Sequence, residues 1–157
     1  SKLVARGAAY GDYDRDGDQD ILITENNGPA TLWRNDSEGG TFLRVRVTGT
    51  DSNRDGLGAE VIVRAGGERM RRRVQTGSSY LSQSEQVVTF GLGGASRADS
   101  LIVDWPSGHV DRFTDVEANQ QIHLVEGAET LERDTLGSPA SADGRRPLQA
   151  RVESEGR

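Results

Sequence analysis

A chain of 157 residues holds about one domain's worth of core, and with 25 Asp plus Glu against 19 Lys plus Arg it carries a formal net charge of −6. That balance argues against nonspecific nucleic-acid binding by the whole surface, leaving room for a local basic patch, and the absence of cysteine removes disulfide frameworks, thiolate metal sites and cysteine nucleophiles together. No apolar run approaches the ~18 residues of a membrane-spanning helix. The opening Ser1-Lys2-Leu3-Val4-Ala5-Arg6 lacks the apolar stretch of a signal peptide, so a secreted form is expected to have carried its signal upstream.

Residues 1–36 form the first segment, in which Gly7-Ala8-Ala9-Tyr10 and Ile21-Leu22-Ile23-Thr24 read as strands on either side of a dense acidic loop. Residues 37–127 form a second segment. There, from Phe42 to Val125, short runs alternate with period two between Gly, Asp, Asn and Ser clusters, the pattern of antiparallel strands and hairpins. Leu43, Val45 and Val47 are expected inside, with Arg44, Arg46 and Thr48 outside. In the same way Val61 and Val63 oppose Ile62 and Arg64, and Leu101, Val103 and Trp105 oppose Ile102 and Asp104. Gly91, Gly93 and Gly94 are expected to break one strand, and Pro106-Ser107-Gly108 to turn Leu101–Trp105 into Val110–Thr114. Gln121–Val125 is the last clear strand. Beyond Gly127 the composition turns polar, with Leu131, Leu136 and Leu148 too sparse for a helix face, which predicts a disordered tail over 128–157. The expected fold is all-β: a hairpin unit, then a small antiparallel β-sandwich or barrel-like domain, then the tail.

The acidic loop is Asp12-Tyr13-Asp14-Arg15-Asp16-Gly17-Asp18-Gln19-Asp20. Oxygen-bearing side chains at loop positions 1, 3 and 5, followed by glycine at 6, let a short loop wrap a hard cation. Calcium takes about 6–8 oxygens at about 2.3–2.6 Å, and it neutralises carboxylates that otherwise repel one another. Gly17 permits the sharp bend. An EF-hand would need flanking helices and a glutamate at position 12, where this chain has Ile23 between apparent strands. Asp20, at position 9, replaces that glutamate as the closing ligand. The expected site is therefore a strand-loop-strand calcium site with Asp12, Asp14, Asp16 and Asp20 as side-chain ligands and Asp18 contributing its backbone carbonyl. Against it stands a solvated acidic turn, for which five aspartates within nine residues are a poor choice.

Gly7–Asp36, with the core Gly11-Asp12-Tyr13-Asp14 through Asp20 and the following Leu32-Trp33-Arg34-Asn35, resembles an FG-GAP (VCBS-like) repeat, a blade of integrin-type β-propellers. Further on, Ser52-Asn53-Arg54-Asp55-Gly56-Leu57-Gly58-Ala59, Tyr80-Leu81-Ser82-Gln83-Ser84, Phe90-Gly91-Leu92-Gly93 and Trp105-Pro106-Ser107-Gly108 resemble the ASPIC/UnbV domain of the cartilage acidic protein family. The resemblance implies an extracellular or periplasmic protein in which a calcium-loaded propeller precedes a small β domain. It carries over metal ligands and nothing catalytic. A single blade cannot bury both of its faces, so residues 1–36 read as the last blade of something longer.

A second loop, Asp51-Ser52-Asn53-Arg54-Asp55-Gly56, repeats the spacing but has Ala59 at position 9 and Ile62 at position 12. Its closing ligand is missing, so a turn braced by the Asn53 and Asp55 side chains is expected, with Glu60 placed to complete a weak site. The run Arg69-Met70-Arg71-Arg72-Arg73-Val74 would set Arg69, Arg71 and Arg73 on one strand face. Nucleic-acid binding there lacks aromatic platforms; guarding a strand edge and binding an acidic partner are the other readings. His109 and His123 read as surface imidazoles, Trp33 and Trp105 as packing residues, and no G-x-S-x-G elbow surrounds the serines of 78–84. Tyr80–Ser84 has no assignable chemistry from sequence.

The functional expectation is a calcium-binding, non-enzymatic extracellular β module serving adhesion or recognition of an extracellular protein or acidic polysaccharide. The alternative is an accessory domain of a secreted enzyme or biosynthetic assembly.

Overall fold

The computed structural model describes residues 4–37 and 39–134, and every helix or strand element among them is a strand. Among the described residues no helix is long and apolar enough to cross a membrane. They divide into two compact units, one of residues 4–37 with Gly77–Glu85 and one of 39–76 with 86–134.

The first unit is a three-stranded antiparallel sheet of β1 (Ala5–Gly11), β2 (Asp20–Glu25) and β3 (Thr31–Trp33), in that order. The strand flanks expected around the acidic loop are present, with Tyr10 opposite Ile21 and Gly11 opposite Asp20. Gly77–Glu85 lies along the open edge of β1: the Tyr10 N–H donates to Ser84 Oγ at 3.2 Å, and the Glu85 N–H donates to the Tyr10 carbonyl at 3.1 Å. No apolar side chain described in this unit is buried. Its buried side chains are Asp12, Asp20 and Ser84.

The second unit is the opposite case. It comprises β4 (Thr41–Thr48), β5 (Glu60–Ala65), β6 (Glu68–Arg73), β7 (Val88–Gly93), β8 (Arg97–Asp104), β9 (Val110–Glu117), β10 (Gln120–Val125) and β11 (Glu132–Arg133). These form two four-stranded sheets, β11-β10-β4-β7 and β6-β5-β8-β9, which do not close into a barrel. Between them lies one core in which Leu43, Val45, Val61, Val63, Phe90, Leu101, Val103, Ile122 and Leu124 are all but inaccessible. Each such side chain contributes about 1.5–3 kcal/mol by leaving water. The inward-facing sets of β4, β5 and β8 are therefore as expected and Trp105 joins the core, but Arg44, expected outside on β4, is buried with only 3% of its surface exposed.

Four further details depart from the sequence reading. β10 pairs parallel with β4 rather than antiparallel, through Gln120 opposite Leu43 to Val125 opposite Thr48. Ile62, on the outer face, is nevertheless buried, because its register neighbours Arg71 and Ile102 flank it on both sides. Gly91 sits inside β7, opposite Phe42, instead of breaking the strand. The polar stretch expected to be disordered from residue 128 begins in order. Leu131 packs on the core, β11 pairs antiparallel with β10, and the Asp134 N–H donates to the Gln121 carbonyl at 2.9 Å. Leu131, the short backbone ladder and side-chain pairs of Arg133 with Glu117 and of Asp134 with Gln121 and Arg46 hold 128–134; the rest of the expected tail, 135–157, lies outside the described residues.

Candidate metal centre

Antiparallel pairing of β1 and β2 brings the two ends of the acidic loop together, since Asp12 follows Gly11 and Asp20 is the register partner of Gly11. Between them the backbone coils through positive φ at Arg15 (63°) and Gly17 (99°). Gly17 adopts that conformation without strain, whereas at Arg15 it costs about 1–2 kcal/mol. Backbone N–H groups then fix the carboxylates. Asp12 Oδ2 accepts from Gly17 at 2.9 Å, and Asp20, only 1% exposed, accepts from Tyr13 at Oδ2 and from Asn35 at Oδ1, both at 2.8 Å. Asn35 belongs to the Leu32-Trp33-Arg34-Asn35 run, and its neighbour Arg34 lies 3.6 Å from Asp14 and also pairs with Asp36.

One carboxylate oxygen from each of Asp12, Asp14 and Asp20 lies within 4.8 Å of the others. Asp14 Oδ1 is buried with no hydrogen-bond partner. Burial raises the Asp14 carboxyl above its ordinary value, and the charges of Asp16 and Asp20 push it the same way, with Arg34 acting against them. Three converging oxygen donors, with no sulfur or imidazole, suit a hard divalent cation such as calcium. The structure does not bring Asp16 and Asp18 into that group. Asp16 is exposed and its Oδ1 accepts from the Asp18 N–H at 2.9 Å.

The second acidic loop is built the other way round. The backbone N–H groups of Thr50, Asp51 and Ser52 all point at Glu126 Oε2, at 2.8, 3.0 and 2.8 Å. The hydroxyls of Ser52 and Ser107 donate to Glu126 Oε1. Burial opposes the charge on Glu126, but the bonds from Ser107, Ser52 and Thr50 outweigh it and hold its pKa at about 2. Asn53 braces the turn by accepting the Asp55 N–H at 2.9 Å, as its residue type predicts. Glu60 is engaged elsewhere, with Arg71 at 3.1 Å and Arg73 at 2.8 Å. That pairing neutralises part of the arginine row, while Arg72 donates to the Thr89 carbonyl and lies over the Phe90 ring.

The histidines are tied into the fold. His109 Nε2 is 2.8 Å from Asp111 Oδ1, and Asp111 Oδ2 accepts from Trp105 Nε1 and from the Gly127 N–H. His123 Nε2 is 2.9 Å from Thr48 Oγ1. Trp33 is exposed. Two carboxylates that organise these sites, Glu85 and Glu126, carried no local signal, since the loops they hold, at Asp12 and Gln19 and at Thr50–Ser52, lie more than sixty positions away.

The family described as ASPIC and UnbV matches residues 49–131. The chain is 31% identical over 141 residues to cartilage acidic protein 1 of Homo sapiens, covering 85% of this chain and 21% of that protein. It is also 31% identical over 145 residues to cartilage acidic protein 1 of Xenopus tropicalis, covering 87% and 22%. The chain thus spans about a fifth of the length of these curated relatives.

Proposed function

The chain belongs to the ASPIC and UnbV family, and from that premise we propose that it is a calcium-binding, non-enzymatic module of an extracellular protein, serving adhesion or recognition. The observation that carries the reading is the convergence of Asp12, Asp14 and Asp20 in a unit whose buried side chains, among the described residues, are polar. A small sheet without an apolar core needs another staple, and a bound cation is one. Asp16 and the Asp18 carbonyl complete the proposed ligand set. Calcium suits an extracellular setting, where modules bind it with dissociation constants of about 10⁻⁴–10⁻³ M.

Residues 7–36 are read as an FG-GAP-type propeller blade. Support comes from the three-stranded sheet and from its display of Tyr10, Ile21, Leu22 and Trp33 to solvent, side chains that a neighbouring blade would cover. Calorimetric titration of the EDTA-stripped chain with calcium tests the cation reading. One site is expected, weakened at least tenfold by Asp14→Asn and unchanged in Asp55→Asn. No heat from a chain whose circular dichroism is that of a folded β protein would overturn it.

A further inference from the structure

β1 is an edge strand, and on its open side the N–H and carbonyl of Tyr10 are satisfied by Gly77–Glu85. Ser84 Oγ accepts from the Tyr10 N–H, the Glu85 N–H donates to the Tyr10 carbonyl, and Glu85 Oε1 accepts from the Asp12 N–H at 3.3 Å. The same Glu85 oxygen accepts from Gln19 Nε2 at 3.0 Å. Asp12 and Gln19 are the entrance and exit of the acidic loop, so a single carboxylate oxygen staples its two ends. At the other end of the contact, a Cβ added to Gly7 would stand 2.6 Å from Ser82 Oγ. The segment therefore meets β1 closely at both Gly7 and Tyr10.

The segment itself is held by hydrogen bonds rather than by apolar burial. Ser78 and Ser84 share a 2.9 Å hydroxyl contact, Ser82 Oγ donates to the Tyr80 carbonyl, and Leu81, at φ 47°, is 87% exposed with Tyr80 exposed beside it. Elements with few buried apolar contacts open at low free-energy cost. Charge decides when this one closes. Docking places the Glu85 carboxylate beside Asp12, next to the converged Asp12, Asp14 and Asp20, which like-charge repulsion opposes and a divalent cation would reverse.

We infer that Gly77–Glu85 is a cation-coupled clasp, in which Glu85 positions both ends of the acidic loop and raises its cation affinity, while the bound cation in turn holds the clasp shut. The coupling is reciprocal by thermodynamic necessity, and it rests on the cation reading above. It also gives Tyr80–Ser84 a role: the run is the edge that closes the hairpin.

The test is calcium titration of the full chain by calorimetry, with hydrogen exchange of 77–85 followed with and without calcium. Glu85→Ala is expected to weaken calcium about tenfold, the usual cost of losing a residue that orients ligands. Glu85→Gln keeps an acceptor without the charge, so its loss should be intermediate. Removing an equal charge in the second unit, Glu68→Ala, should leave the affinity unchanged. Calcium should slow exchange across 77–85 in the wild type and much less in Glu85→Ala. Wild-type affinity in Glu85→Ala, with exchange across 77–85 indifferent to calcium, overturns the clasp alone. A folded wild type that takes up no calcium overturns the cation reading with it, and the two failures are told apart by the wild-type titration.

Discussion

Loops 12–20 and 51–56 both place Asp or Asn at positions 1, 3 and 5 and glycine at 6, yet they present opposite faces to their centres. In the first, carboxylate oxygens converge and backbone N–H groups brace them from outside. In the second, three successive N–H groups turn inward and a buried carboxylate from a distant strand end fills the nest. The ninth position separates them. Asp20 is free to return toward its loop, whereas Ala59 is fully buried in the sandwich core, so nothing acidic closes the second loop and its backbone dipoles face inward. Spacing sets a loop's curvature; the sign of the charge it holds is set by what its last residue is committed to.

Removing the anion should break that comparison most severely. Glu126→Ala removes the shared acceptor of the part-buried N–H groups of Thr50, Asp51 and Ser52 and is expected to cost about 3 kcal/mol, read as a lower urea midpoint at unchanged slope. The cation side comes next. Calcium at about 100 times its dissociation constant should add roughly 2.7 kcal/mol by thermal melting, a gain lost in Asp14→Asn and kept in Asp55→Asn. Acid offers a third contrast, because Glu126 is held at about 2 against an ordinary 4.5. A depressed carboxyl stabilises the fold fully above its unfolded value, so this contribution, about 2 kcal/mol, should fade as pH falls from about 4.5 toward 2. Glu126→Gln should flatten that part of the stability profile. The smallest effect belongs to Asn53→Ala, which removes one exposed turn bond and should cost about 0.5–1 kcal/mol without touching the calcium response.

What was legible in the sequence was local. Alternation along β4, β5 and β8 is a two-residue signal, and the acidic loop declares itself within nine positions. The Asn53 brace is equally local. The illegible parts act at a distance: Glu85 and Glu126 are single glutamates in polar stretches, meaningful only once β1 and the 50–52 turn are in place beside them. β11 was missed because a two-residue strand is too short to show alternation and is held by backbone pairing with β10 and by Arg133 bonding Gln120 and Glu117, partners the sequence does not show as near. The arginine row of β6 was legible as a strand face, but its charge was not, since Glu60 on β5 meets Arg73 only through the register.

The parallel seam between β4 and β10 has a temporal consequence. β4 is an inner strand of its sheet, but its antiparallel neighbour β7 begins at Val88 and its parallel neighbour β10 at Gln120, so neither flank is satisfied by a nearby hairpin. Such long-range pairing must close large loops before it gains any contact energy, which places folding in the slow, millisecond-to-second range of β-sandwich topologies. During synthesis one edge of β4 waits for β7, which begins 40 positions after Thr48, and the other for β10, which begins 72 positions after it. The β5–β6 and β8–β9 hairpins, local and antiparallel, are the natural first template onto which that waiting strand is laid.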